Sequence, residues 1–258
     1  MDSSRIIILI TGANSGVGYA TTQVIASSSS NYHVIMACRS SSAGQEALDE
    51  IKGSSSVPVK GTVSLLRLDV ADEASIAAAK ISVENEFGRL DVLINNAGIG
   101  SVAPGTHTKE SLHHVFDTNV FGPILMIQAF ESLLEKSTYS KGPYLIQVSS
   151  GLGSFALASN AKDPFHKNSF GTYRMSKATL NMVTLQSHIQ LGAKGFKVFA
   201  FCPGLVVSNL RGKTEEARSG WGMAGDPKVS GQGILNIIEG NRDDVVGKFV
   251  HKDGLYEW

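Results

Sequence analysis

Short apolar runs alternate with longer segments of helical character along the whole 258-residue chain, and this rhythm limits the folds open to it. We predict buried strands at 6–10, 34–37, 64–68, 91–94, 144–148, 197–201 and 248–250. Helical stretches separate most of them, whereas 53–61, 154–169 and 211–226 are predicted to be loops. Strand–helix alternation favours an α/β fold, a doubly wound parallel sheet with helices on both faces.

Composition narrows the class of protein. A chain of this length suits one domain, and 42% hydrophobic with 18% charged residues is typical of a soluble globular protein. Lys and Arg total 23 and so do Asp and Glu, so no excess charge favours nucleic acid or an anionic membrane as a partner. No apolar run is long enough to span a membrane, and two cysteines do not make a disulfide framework. We therefore expect a cytoplasmic protein.

A glycine-rich turn follows the first strand and opens a helix. Glycines allow a tight turn and a close approach of backbone to a ligand, while the free N–H groups of a helix N-terminus attract an anion. A purely structural turn is the alternative, but the place of this one between a strand and a helix favours a dinucleotide diphosphate. The predicted cofactor-binding residues are Gly12, Asn14, Ser15, Gly16, Val17 and Gly18.

The end of the second strand indicates which dinucleotide binds. An NAD site usually carries an acidic residue there for the ribose 2′-hydroxyl. This chain has Arg39, whose planar cation suits a 2′-phosphate, so we predict NADP(H); a solvated surface arginine is the alternative. Asp69 ends the third strand, where its carboxylate could bind the adenine amino group or cap the next turn.

Tyr173 and Lys177 are four residues apart at the start of a predicted helix and therefore share one face. A phenol with the ordinary pKa of about 10 is a poor acid–base group at neutral pH. A nearby lysine cation, together with an oxidised nicotinamide, would favour the phenolate. This spacing is common by chance, but Ser150 ends the fifth strand, where a parallel sheet presents its ligand crevice.

Together these motifs resemble the short-chain dehydrogenase/reductase family. The matches run in order through TGxxxGxG at 11–18, NNAG at 95–98, Asn119, Ser150, YxxxK at 173–177 and PG at 203–204. The resemblance implies the strand order 3-2-1-4-5-6-7. It implies that Tyr173 is the acid–base group, that Lys177 binds the nicotinamide ribose and lowers the tyrosine pKa, and that Ser150 positions a carbonyl. Asn119 would support a proton relay.

The resemblance extends the predicted cofactor site beyond the glycine-rich turn. Besides Arg39 and Asp69, already placed at strand ends, the predicted cofactor-binding residues are Val70, Asn96, Ala97, Gly98, Tyr173, Lys177, Pro203, Gly204, Val206 and Ser208. Ser208 stands where the family often has threonine. The pattern at 37–40 resembles NADP-preferring members of the family. The stretch 173–177 and the ending from Gly247 resemble its carbonyl-reductase (sniffer-like) branch.

One departure from the family concerns the spacer between Ser150 and Tyr173, which is longer than in many members. We expect segments 152–172 and 205–226 to form the substrate loops. Because the long spacer could obstruct a two-fold helical interface that many relatives use, we expect a monomer or a homodimer rather than a tetramer.

The sequence thus predicts an NADP(H)-dependent oxidoreductase that reduces a ketone or aldehyde to an alcohol, or the reverse, on a small-molecule substrate. The histidines do not form a ligand set, so we expect no metal site. The alternative is an NADP(H)-binding protein that uses the fold for a non-redox step or as a non-catalytic sensor.

Overall fold

A single sheet organises the chain, which we describe from a computed structural model covering residues 5–100, 107–167 and 170–258. Within this part, the strands are β1 (Ile6–Thr11), β2 (Tyr32–Cys38), β3 (Thr62–Arg67), β4 (Val92–Asn95), β5 (Tyr144–Val148), β6 (Lys197–Cys202), β7 (Phe249–His251) and β8 (Gly254–Tyr256). Their order is β3-β2-β1-β4-β5-β6-β7-β8, and every neighbouring pair is parallel except β7 with β8. The predicted fold class and strand order are confirmed, and β8 is an addition.

Helices connect these strands. They are α1 (Gly16–Ser28), α2 (Ser41–Gly53), α3 (Glu73–Phe87), α4 (Lys109–Phe116), α5 (Gly122–Leu134), α6 (Phe155–Ser159), α7 (Gly171–Leu191), α8 (Glu215–Arg218) and α9 (Pro227–Ile238). No helix of the described ranges is long and apolar enough to cross a membrane.

The central strands of the sheet, β1, β2, β4, β5 and β6, are buried on both faces, which explains their nearly continuous apolar runs. Successive residues of β1 point to opposite faces: Ile8 and Ile10 belong to one core cluster, and Ile7 and Leu9 to the other. The first cluster includes residues of α1, α2 and α9, and the second includes residues of α3, α5 and α7. With both faces covered by helices, the open place for a ligand is the edge where the strands end.

Two of the predicted loops contain short helices. In segment 154–169, α6 begins after Ser154, whose hydroxyl accepts a hydrogen bond from Leu157 N at 3.1 Å. In segment 211–226, α8 begins after Thr214, which caps it in the same way. Both helices are too short to show a helical period in the sequence, so the prediction of loops there is wrong in detail. Residues 168 and 169 of the predicted substrate segment lie outside the described residues.

Candidate active site

The glycine-rich turn lies at the carboxyl end of β1, and two of its glycines leave no room for a side chain. Gly12 has a φ of +64°, and a Cβ there would lie 2.9 Å from Ala97 Cα. A Cβ on Gly18 would lie 2.5 Å from Gly12 O. Helix α1 begins at Gly16, and the Ser15 side chain makes no capping bond to it. The turn therefore offers backbone N–H groups at a helix N-terminus, which fits the diphosphate of a dinucleotide.

Asn96 holds this turn in place. Its Nδ2 donates to Thr11 O at 2.8 Å and to Gly12 O at 3.2 Å, and the Thr11 hydroxyl accepts from the N–H groups of Asn96 and Ala97. A hydrogen-bonded bridge thus joins the ends of β1 and β4. We predicted that Asn96 binds the cofactor. In the structure its side chain fixes the backbone of the glycine-rich turn, which would contact the cofactor.

Arg39 and Asp69 lie together at the ends of β2 and β3. The Arg39 side chain is 77% exposed, and its Nε is 4.0 Å from Asp69 Oδ2. Such a pair of exposed charges contributes little to stability, so the arginine remains available to an anion. Asp69 Oδ1 accepts from Ala71 N at 3.1 Å, which is the turn-capping role that the sequence allowed.

Tyr173 and Lys177 face the carboxyl end of β5 from the first turns of α7. The Lys177 Nζ lies 5.7 Å from the centroid of the tyrosine ring and donates to Val148 O at 2.8 Å. The Ser150 side chain is hydrogen-bonded to Tyr173. Tyr173 and Lys177 are both buried. The predicted serine, tyrosine and lysine are therefore close neighbours in the structure.

Burial controls the ionisation of these groups. It raises the pKa of Tyr173 well above its ordinary value, against smaller lowering effects of the Ser150 hydrogen bond and the Arg211 charge; Cys202 adds to the rise. Burial also lowers the pKa of Lys177 to about 8, with Cys202 acting in the opposite direction. The sequence led us to expect a lowered tyrosine pKa. For the side chains of the protein alone the direction is the opposite, because removal of the phenolate from water outweighs the neighbouring charges.

Asn119 lies in a π-helical turn, Asp117–Phe121, between α4 and α5 rather than in a regular helix. Its Oδ1 accepts from Ile99 N at 2.9 Å, and its Nδ2 donates to Ile99 O at 2.9 Å and to Ser176 Oγ at 3.0 Å. A Cβ on Gly98 would lie 3.3 Å from Asn119 Oδ1 and 3.6 Å from Lys177 Nζ. Asn119 is thus next to the site, and its amide joins the segment after β4 to α7.

The segment after β6 completes the predicted cofactor site. Pro203 O accepts from the Ser230 hydroxyl at 2.9 Å, and Gly204 has a φ of +79°. Val206 forms a β-bridge with Gly225. Ser208 approaches the glycine-rich turn, since a Cβ on Gly16 would lie 3.2 Å from Ser208 Cβ. The remaining predicted residue, Val70, is buried and its carbonyl oxygen lies against Gly122 in α5.

A cavity of about 350 Å³ opens beside Ser150 and Tyr173 and extends to Val17 in the glycine-rich turn. Both predicted substrate segments line it. Segment 152–172 contributes Leu152, Leu157, Asp163, Pro164, Phe165 and Phe170, and segment 205–226 contributes Leu205, Val206, Ser208, Leu210 and Arg211. Because most of these side chains are apolar, the cavity suits a largely apolar molecule held at a few polar points.

Comparison with known proteins identifies the family. Residues 6–219 match the family model described as short chain dehydrogenase. The chain belongs to the short-chain dehydrogenase family. Members of this family are oxidoreductases that use nicotinamide cofactors.

Individual relatives agree with this assignment. The chain is 34% identical to the short-chain dehydrogenase/reductase tropE of Talaromyces stipitatus, over 98% of this chain and 97% of that protein. It is 32% identical to the short-chain dehydrogenase anuI of Penicillium roqueforti, over 95% and 93% of the two chains. Among solved structures, an NADPH-bound carbonyl reductase from chicken fatty liver is 28% identical, with a TM-score of 0.81 over 98% of this chain and 100% of that one.

This short-chain dehydrogenase has site residues that the sequence analysis did not single out. Cys202, at the end of β6, accepts hydrogen bonds through Sγ from Gly151 N at 3.2 Å and Gly204 N at 3.4 Å. Tyr256 of β8 lines the cavity, as does Arg174. Cys202 ends an apolar run and is buried, so the sequence pattern alone marks it as a packing residue. In the described ranges, no cluster of three or more His, Cys, Asp or Glu side chains could hold a metal.

Proposed function

We propose that this short-chain dehydrogenase is an NADP(H)-dependent carbonyl reductase in which Tyr173 donates the proton. One observation carries the proposal: a buried tyrosine hydroxyl, bonded to Ser150, lines a cavity that reaches the glycine-rich turn. A carbonyl oxygen in that cavity can accept hydrogen bonds from both hydroxyls. Because burial keeps the Tyr173 pKa high, the phenol carries its proton at neutral pH, as a donor must.

The cofactor would occupy the edge of the sheet between the glycine-rich turn and Lys177. When bound, it supplies the hydride for the carbonyl carbon. Gly12–Gly18 would hold its diphosphate, and the buried Lys177 would hold the nicotinamide ribose. Two observations support NADP(H): Arg39 is exposed at the end of β2, and the similar chicken carbonyl reductase was solved with NADPH bound.

Each side chain of the site has a distinct task in this proposal. Ser150 orients the carbonyl oxygen, and Tyr173 transfers its hydroxyl proton to that oxygen as the carbon is reduced. Asn119 is a positioning residue, because its amide is engaged by Ile99 and by Ser176 of α7. The proposed substrate is a small, largely apolar ketone or aldehyde. That the protein is soluble and cytoplasmic, and that it is a monomer or a homodimer, remain predictions.

The proton donor can be tested with Tyr173→Phe. We expect this variant to lose more than 99% of NADPH-dependent turnover of aldehydes and ketones, since loss of a general acid typically costs about 10²–10⁴-fold. Its affinity for NADPH, measured by fluorescence titration, should stay within about threefold, because one hydroxyl contributes modestly to binding.

Tyr139→Phe is the matched control. Tyr139 precedes β5, and its hydroxyl donates to Ile238 O at 2.9 Å, away from the cavity. This variant should keep its turnover. Full turnover by Tyr173→Phe would show that another group donates the proton. Tight NADPH binding by the natural protein without turnover of any carbonyl in a broad panel would instead favour a non-redox or sensing role.

A further inference from the structure

Two arginines are among the described residues that line the cavity, and their surroundings differ. Arg174 follows Tyr173 in α7, and its Nη1 donates to Phe165 O at 2.7 Å. Arg211 ends a 3₁₀ turn, Asn209–Arg211, in the segment after β6 and is half-buried. Asp163 is the acidic side chain of the described lining, and its Oδ1 accepts from Phe165 N at 2.8 Å.

Backbone carbonyls fix the Arg211 guanidinium in place. Its Nε donates to Ala217 O at 3.0 Å, and its Nη2 donates to Val206 O at 2.8 Å and to Arg218 O at 2.7 Å. These three bonds use the Nε–H and both Nη2–H groups. The two N–H groups of Nη1 have no hydrogen-bond partner among the described residues, and no described carboxylate forms an ion pair with Arg211. A fixed cation with two spare donors therefore lines the cavity.

This cation acts on the reacting hydroxyl. The Arg211 charge lowers the pKa of Tyr173, and a charge on Tyr173 in turn raises that of Arg211, while burial lowers the arginine pKa. Burial of a cation without a counter-ion is unfavourable, so a site of this kind gains stability when an anion arrives. Since Nη1 alone is free, an anion would bind end-on, with one oxygen near both N–H groups.

We propose that Arg211 receives a carboxylate on the substrate, so that the preferred substrates are ring-sized, largely apolar aldehydes or ketones that carry an acidic group. This inference rests on the carbonyl-reductase function proposed above. The apolar side chains of Leu152, Leu157 and Phe165 suit the ring, and Ser150 and Tyr173 suit the carbonyl. A cavity of about 350 Å³ is at the small end for ligand sites, which limits the substrate to about one or two rings.

The test compares 3-carboxybenzaldehyde with its uncharged methyl ester at pH 7. We expect the natural protein to have a kcat/KM for the acid about tenfold or more above that for the ester, because a hydrogen bond to a charged group is stronger than a neutral one. Arg211→Gln should reduce this acid-to-ester ratio by about ten- to hundredfold, mainly through KM for the acid. Arg211→Lys keeps the positive charge but not the planar set of N–H donors, so it should keep part of the preference for the acid over the ester.

The acid-to-ester ratio of kcat/KM distinguishes loss of carboxylate recognition from a general loss of structure. Arg211→Gln also loses the three hydrogen bonds to backbone carbonyl oxygens, and any local change that follows would affect the acid and the ester alike. The acid-to-ester ratio of kcat/KM, measured on one variant, is therefore insensitive to such a change. Arg174→Gln is the matched comparison and should leave the ratio unchanged; an equal fall there would assign the preference to the general charge of the cavity and overturn the role of Arg211. Equal use of acid and ester by the natural protein would also overturn it.

Failure of the proposed function gives a different result. If neither probe is turned over, the reductase function fails, and the inference is then decided by binding in the presence of NADPH. We expect the acid, and not the ester, to raise the melting temperature of the natural protein, and this shift to disappear in Arg211→Gln. Equal shifts with the two probes would contradict carboxylate recognition.

Discussion

Lys177 has a pKa that burial brings close to neutral pH. Burial lowers its pKa to about 8, so its ammonium group is present below about pH 7 and is lost as the pH rises through 8. The groups that face it do not titrate in the same range, because burial raises the pKa of both Tyr173 and Cys202. The pH dependence of cofactor binding should therefore report on the lysine.

We predict that NADPH affinity falls above pH 8, by up to about tenfold per pH unit, because the protonated lysine is the form that holds the ribose. Fluorescence titration between pH 6.5 and 9.5 would measure this. Lys177→Met should bind NADPH more weakly at every pH, with no decline above 8. An unchanged affinity of the natural protein up to pH 9.5 would mean that Lys177 stays charged or does not contribute.

Arg39 decides the choice of cofactor in our proposal. We predict that Arg39→Ala raises KM for NADPH by about five- to thirtyfold, since an exposed charge-assisted contact to the 2′-phosphate is worth about 1–2 kcal/mol. KM for NADH, which lacks that phosphate, should change by less than twofold. Lys52→Ala, which removes a cation from the last turn of α2, is the control. A parallel rise in both KM values would assign Arg39 a structural role.

At the scale of elements, neighbouring strands place two buried amides side by side. Asn95 in β4 and Gln147 in β5 are register partners, and both side chains are buried. Neither amide has a hydrogen-bond partner among the described residues. Each unpaired polar atom in such a place costs about 1–3 kcal/mol. This pair is therefore a local weakness in the middle of the sheet.

Gln147→Met should remove part of that cost while keeping the volume of the side chain. We predict a free energy of unfolding that is unchanged or higher by up to about 2 kcal/mol, measured by urea denaturation. Gln45→Met is the control, because the Gln45 amide is exposed and donates to Asp49 at 2.8 Å. A loss of more than about 1 kcal/mol in Gln147→Met would show that the amide is satisfied in solution.

Elements also show where sequence reasoning ends. Parallel strands bring their carboxyl ends to one edge, so residues such as Gly12, Ser150 and Pro203 could be placed together from the sequence alone. The hydrogen bonds of Arg211 could not be predicted in this way, because they depend on a segment whose backbone has three successive positive φ angles. These are 56° at Gly220, 56° at Trp221 and 83° at Gly222. Positive φ is uncommon for tryptophan, and no pattern in the sequence predicts it there.

For the whole molecule, the seven predicted strands all overlap observed ones, because the central strands are buried on both faces and therefore show short, nearly continuous apolar runs. Strand β8 was missed, since three residues with one exposed leucine, Leu255, show no usable pattern. The ionisation of Tyr173 was also missed, because burial is a property of the assembled fold. That the protein is a monomer or a homodimer stays a prediction.

Strand β8 has a consequence for the behaviour of the protein in concentrated solution. An exposed sheet edge offers unpaired N–H and C=O groups to other chains, and such edges promote aggregation. Here β7 is paired on its outer side with β8. The ring of Tyr256 packs edge-on against that of Phe249, with the ring centroids 5.4 Å apart. The new edge is three residues long, no longer than the β7 edge that it covers, so it too offers little for another chain to pair with. The same short strand that brings Tyr256 to the cavity thus also covers the outer edge of β7.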